Sequence, residues 1–72
     1  MRVGVIGLGR AGQVHLDAWR RVETVQLVAA CDPDVTGRRR ARDAGLAAYA
    51  DPMAMIARER IEAVSIASPP LY

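Results

Sequence analysis

Short apolar runs alternate with stretches of helical period along this chain. Val3-Gly4-Val5-Ile6 lies in a strand predicted over residues 2–7. Val25-Gln26-Leu27-Val28-Ala29-Ala30-Cys31 is almost unbroken and ends at Asp32. It predicts a second strand over 26–32, buried on both faces as a parallel strand covered by helices is. Between the two, residues 10–21 read as a helix. Its expected apolar stripe is Ala11, Val14, Ala18 and Val22, widened by Leu16 and Trp19. Pro33 and Asp34 start a second helix over 35–44, and Gly45 suits a left-handed stop. A short strand over 47–49 comes next. Asp51 as N-cap and Pro52 as first helical residue open a third helix over 52–59, expected to bury Met53, Ile56 and Ala57. A last strand over 63–67 is stopped by Ser68-Pro69-Pro70. The alternation β-α-β-α-β-α-β predicts an α/β fold with a parallel sheet and right-handed crossovers. The expected strand order is 3-2-1-4 with helices on both faces, a partial Rossmann fold over residues 1–72.

The link between the first strand and the first helix carries the chemistry. Gly7-Leu8-Gly9-Arg10-Ala11-Gly12 is a G-x-G-x-x-G turn, and Asp32 follows Gly12 by 20 residues. Strand, glycine turn, helix, strand and acid, in that order, are what a dinucleotide needs. Gly7 permits a sharp turn out of the strand. Gly9 has no Cβ to hold a pyrophosphate off the backbone. Gly12 lets the helix pack tightly. The start of the helix turns free N–H groups and a positive dipole end toward phosphate. Asp32 is placed to accept hydrogen bonds from a ribose diol, and its charge opposes a 2′-phosphate, which favours NAD over NADP. Arg38 stands within reach of an adenine face or a 2′-phosphate, so NADP stays possible. For Arg10, pyrophosphate and solvent are both open. Leu8 is expected beside the cofactor with its N–H facing phosphate. His15, Cys31 and Trp19 read as packing residues rather than ligands.

Composition narrows the classes. All ten basic residues are arginine, none is lysine, and the net charge is +2. That balance does not point to nucleic acid. The cluster Arg38, Arg39, Arg40 and Arg42 has no interleaved aromatics, cannot share one helical face, and reads as a solvated surface. A single cysteine leaves no internal disulfide framework and no cysteine-rich metal site. No run approaches the ~20 apolar residues of a membrane span, and Met1 leads straight into a strand without a secretory signal. A cytoplasmic location is expected, with no membrane and no metal.

Several segments together resemble the N-terminal part of the Gfo/Idh/MocA oxidoreductases. They are Val5-Ile6 with the glycine turn, His15, Ala30-Cys31-Asp32-Pro33-Asp34, Tyr49 with Asp51, Ile61-Glu62-Ala63-Val64, and Ile66-Ala67-Ser68-Pro69-Pro70. The resemblance implies an NAD(P)-dependent dehydrogenase of sugars, inositols or related polyols, working by hydride transfer. It also implies that the Ser68-Pro69-Pro70 loop lies beside the nicotinamide half of the cofactor. Family members look like two-domain proteins of several hundred residues. They carry a histidine soon after that loop and, later, a Glu-Lys-Pro motif whose lysine assists catalysis. Neither feature is present, so the chain reads as a truncated cofactor-binding piece without catalytic residues. Its last strand is then an uncovered apolar edge, for which self-association is expected, and the parent is expected to be a homo-oligomer. The alternatives are a non-catalytic nucleotide-binding module, of redox-sensor or CoA-binding type, and a S-adenosylmethionine site.

Overall fold

The computed structural model describes residues 1–67, apart from the side chains of Arg10 and Ala11. Seven elements follow in order: β1 (Arg2–Ile6), α1 (Arg10–Arg20), β2 (Gln26–Cys31), α2 (Val35–Asp43), β3 (Ala47–Tyr49), α3 (Pro52–Glu59) and β4 (Ala63–Ile66). They form one parallel sheet in the order β3-β2-β1-β4. The expected Rossmann order 3-2-1-4 is therefore the observed one. Boundaries move by a residue: β1 stops at Ile6, β2 at Cys31 and β4 at Ile66. The Ser68-Pro69-Pro70 loop lies outside the described residues.

Local signals built the helices as the sequence suggests. Asp34 caps α2 through the Thr36 amide, and Asp51 caps α3 through the Met53 amide, with Pro52 leading the latter. At the far end of α2, Gly45 adopts φ +82°. Leu46 N–H donates to the Ala41 carbonyl and Gly45 N–H to that of Arg42, both at 2.9 Å. This is a Schellman stop, and Leu46 packs in one cluster with Ala41, as that motif favours.

Two apolar layers sandwich the sheet. Val5, Leu8, Leu16, Ala30, Ala41 and Leu46 fill the side covered by α1 and α2, with Trp19 packed against them. Ala29, Cys31 and Met55 fill the side covered by α3, supported by Ile6, Ile56 and Ile61. β2 is thus buried on both faces, as its unbroken apolar run predicts.

The phase of two helices differs from expectation. On α1, Val14 is 66 % exposed and Ala18 is exposed, and Val22, just past its end, is 41 % exposed, whereas Leu16 is fully buried. The inward line is Gly12, Leu16 and Trp19. On α3, Met53 is 69 % exposed and Ala57 is exposed, while Met55 is fully buried. Contact between α1 and the β1 turn, and between Met55 and Gly4, sets these rotations.

A chain of polar contacts ties the sheet to α3. Tyr49 Oη donates to Glu59 Oε2 at 2.5 Å, and Arg2 Nε donates to the Glu59 carbonyl at 2.6 Å. The Glu59 contact holds the Tyr49 hydroxyl above its ordinary value near 10. A raised folded value means that this bond contributes fully below about pH 10 and is lost as pH rises through the folded value. Tyr49→Phe is expected to lower stability at neutral pH and to weaken its fall above pH 10, measured by urea titration across that range.

β4 pairs with β1 alone among the described residues. Val64 and Ile66 project from it toward the α3 side and are exposed, as the expected apolar edge requires. Among the described residues no helix is long and apolar enough to cross a membrane.

Candidate functional site

The carboxyl ends of the central strands β1 and β2 meet the start of α1, and ligands of open α/β sheets bind outside such strand ends. Gly7 leaves β1 with φ +94°, a conformation that L side chains rarely adopt, so this turn needs glycine. Its N–H donates to the Cys31 carbonyl at 2.7 Å, holding the turn against β2.

Gly12 is buried in the first turn of α1. A Cβ there would collide with the Gly7 carbonyl oxygen and stand 2.9 Å from its carbon. The helix therefore rests directly on the turn. Gly9 is the opposite case. It is exposed, and among the described residues a Cβ there would meet nothing within 4 Å beyond its chain neighbours. The space above Gly9 is what a bulky anion touching the backbone would occupy.

The N-terminus of α1 is left open. Gly9 occupies the cap position with no side-chain cap, and the first turn holds no acidic residue. α2 and α3 each have an aspartate cap. An uncapped helix start presents unpaired N–H donors and the positive end of the helix dipole.

Asp32 stands over this turn. Its Oδ2 accepts from Leu8 N–H at 2.8 Å, and its Oδ1 accepts from Asp34 N–H at 2.9 Å. Each carboxylate oxygen has two lone pairs, so one on each remains for another donor. The Leu8 expectation is corrected here. Its amide is taken by Asp32, and its side chain, 2 % exposed, belongs to the core. Leu8 serves the turn as backbone and packing.

The arginine cluster splits in two. Arg38 Nη1 donates to the carbonyls of Asp32, at 3.1 Å, and Pro33, at 2.8 Å. Arg40 Nη1 donates to the Leu8 carbonyl at 2.8 Å. Arg39 and Arg42 are exposed. Reading all four as solvated surface is thus corrected for the half-buried Arg38, while Arg40 stays exposed but also grips the backbone of the turn. Arg10 and Ala11 begin α1, but their side chains lie outside the described residues, as do Ser68, Pro69 and Pro70.

Two residues escaped the sequence reading. Arg40 is one. Gly37 is the other: a Cβ there would strike the Asp32 carboxylate. Glycine inside a helix costs about 1 kcal/mol against alanine, and such a glycine usually has a packing reason. That cost was the available signal. Gly37 and Arg40 are three apart, on one face of α2.

His15 and Cys31 both make contacts within the fold. His15 Nδ1 meets Ser65 Oγ at 2.5 Å and joins α1 to β4. Cys31 is a free, buried thiol, pushed upward in pKa by burial and then by the nearby Asp51 and Asp32. No group of three metal-ligating side chains occurs among the described residues.

Comparison with known proteins agrees with this geometry. The model of the Gfo/Idh/MocA oxidoreductase family, described as having an NAD-binding Rossmann fold, matches residues 1–72. The rhizopine catabolism protein MocA of Rhizobium meliloti is 34 % identical over 68 residues, covering 94 % of this chain and 22 % of its own length. D-apiose dehydrogenase of Paraburkholderia graminis is 38 % identical over 69 residues, covering 89 % and 18 %. Among solved structures, the WlbA dehydrogenase of Bordetella pertussis, in complex with NADH and UDP-GlcNAcA, superposes with a TM-score of 0.86 at 27 % identity, covering 96 % of this chain and 22 % of that one. The chain thus spans about a fifth of the length of these relatives. With its parallel sheet, its glycine turn and a family match over all 72 residues, the chain belongs to the Gfo/Idh/MocA oxidoreductases.

Proposed function

We propose that this chain is the adenosine- and pyrophosphate-binding part of an NAD(P)-dependent dehydrogenase acting on a sugar, inositol or related polyol. The observation that carries the reading is the open surface of Gly9, set between an uncapped helix start and Asp32. The backbone amides of residues 9–12 would receive the diphosphate, with Gly7, Gly9 and Gly12 shaping the turn and Arg10 and Ala11 supplying first-turn amides. Asp32 would accept from the ribose diol. Arg38 would flank the adenine side, and Ser68, Pro69 and Pro70 would border the nicotinamide half. The cofactor supplies the hydride; this stretch supplies placement. It holds no lysine for proton transfer, so the 72 residues alone bind without catalysing. The sugar-type substrate is supported by relatives that carry D-apiose in their name or UDP-GlcNAcA in their crystal.

NAD is the preferred coenzyme in this reading, because the Asp32 carboxylate repels a 2′-phosphate. Fluorescence titration of the full-length protein with NADH and NADPH tests it. Asp32→Ala is expected to weaken NADH by about tenfold, the scale of one hydrogen bond to a charged group, and NADPH by less. Equal losses would contradict the assigned role of Asp32. A full-length protein that binds neither nucleotide would overturn the function itself. Formation of NADH from NAD and a panel of sugars and inositols then identifies the substrate.

A further inference from the structure

The Leu8 residue is held from both ends. Its N–H donates to Asp32 Oδ2, and its carbonyl accepts from Arg40 Nη1, each at 2.8 Å. The carbonyl belongs to the peptide that joins Leu8 to Gly9. In a planar trans peptide the C=O and the following N–H point in opposite directions, and no cis peptide is present among the described residues. Fixing the Leu8 carbonyl on α2 therefore turns the Gly9 N–H away from α2. Among the described residues no acceptor engages that N–H. It belongs to the residue at which, among the described residues, a Cβ would meet nothing within 4 Å beyond its chain neighbours.

We infer that Arg40 is a positioning residue of the glycine turn: by holding the Leu8 carbonyl it aims the Gly9 amide at the diphosphate. The inference rests on the cofactor reading above. Arg40 acts through the peptide and not by touching the coenzyme. Arg38 does not share this task, because its Nη1 is committed to the Asp32 and Pro33 carbonyls. Gly37 completes the arrangement. It leaves room for the Asp32 carboxylate, so both clamps on Leu8 reach it past the same face of α2.

The diphosphate is common to NADH and NADPH, so a positioning role predicts equal losses for both. In the full-length protein, Arg40→Met is expected to weaken NADH and NADPH alike by about tenfold, the scale of one charge-assisted hydrogen bond. Arg40→Lys, which keeps a charged donor, is expected to recover most of the affinity. The Gly9 amide resonance of the ligand-free protein should move in Arg40→Met while resonances of β3 stay in place. Because Arg40 is exposed, the melting temperature should change little. Loss confined to NADPH would make Arg40 a 2′-phosphate contact and overturn the positioning role. Unchanged affinities in Arg40→Met would overturn it as well. Either result leaves the cofactor reading standing if wild type binds NADH, whereas a wild type that binds neither nucleotide removes both.

Discussion

Gly12→Ala is expected to destabilise the fold by about 3 kcal/mol, at the upper end of what overpacking costs. The introduced methyl would collide with the Gly7 carbonyl oxygen, which is backbone and cannot rotate aside. α1 would have to lift off the turn, and Leu16, the fully buried anchor of that helix, would lift with it. Helix propensity acts the other way, since alanine is about 1 kcal/mol better than glycine inside a helix. The clash exceeds that gain, so the net effect is a loss. Native proteins are stable by only about 5–15 kcal/mol, and a loss of this size is a large share of that. Thermal denaturation of wild type and Gly12→Ala measures the effect. A variant as stable as wild type would show that the helix does not rest on the turn.

Gly9→Ala is expected to do the reverse, leaving the fold intact and abolishing most nucleotide binding. Among the described residues the added methyl meets no atom within 4 Å beyond its chain neighbours, and Gly9 has φ −76°, which alanine adopts without strain. Melting should therefore be unchanged. The methyl would stand where the diphosphate must approach the backbone. An overpacking cost of up to about 3 kcal/mol corresponds to an affinity loss of about a hundredfold. Titration with NADH measures it, alongside denaturation of the same sample. Retained affinity would mean that the diphosphate does not sit over Gly9. The pair of glycine variants thus separates two proposed uses of one motif, packing at Gly12 and approach of the ligand at Gly9.

The elements were legible because their signals are local. Asp34 and Asp51 cap the residues two positions on, Pro52 leads its helix, and Gly45 ends one through bonds within five residues. Strand order followed from alternation, because a parallel strand needs a crossover and the crossover has one hand. The spacing of Asp32 from the glycine turn was readable for the same reason: a βαβ unit of fixed size carries the acid to the turn.

Helix rotation was not readable. Val14 and Leu16 are two residues apart, about 200° around a helix, so only one of them can face the sheet. Either choice satisfies an apolar period. The contact of Gly12 with Gly7 selects Leu16, and the room left by Gly4 selects Met55 over Met53. The targets of Arg38 and Arg40 were hidden as well, since a long side chain can reach many acceptors and no pattern names one 32 residues away. Local chemistry thus specified the elements, their order and the turn for a dinucleotide, since each depends on neighbours close along the chain. The rotation of α1 and α3, the burial of Leu8 and the two clamps on its peptide emerged only on folding, because they depend on contacts between segments distant in sequence.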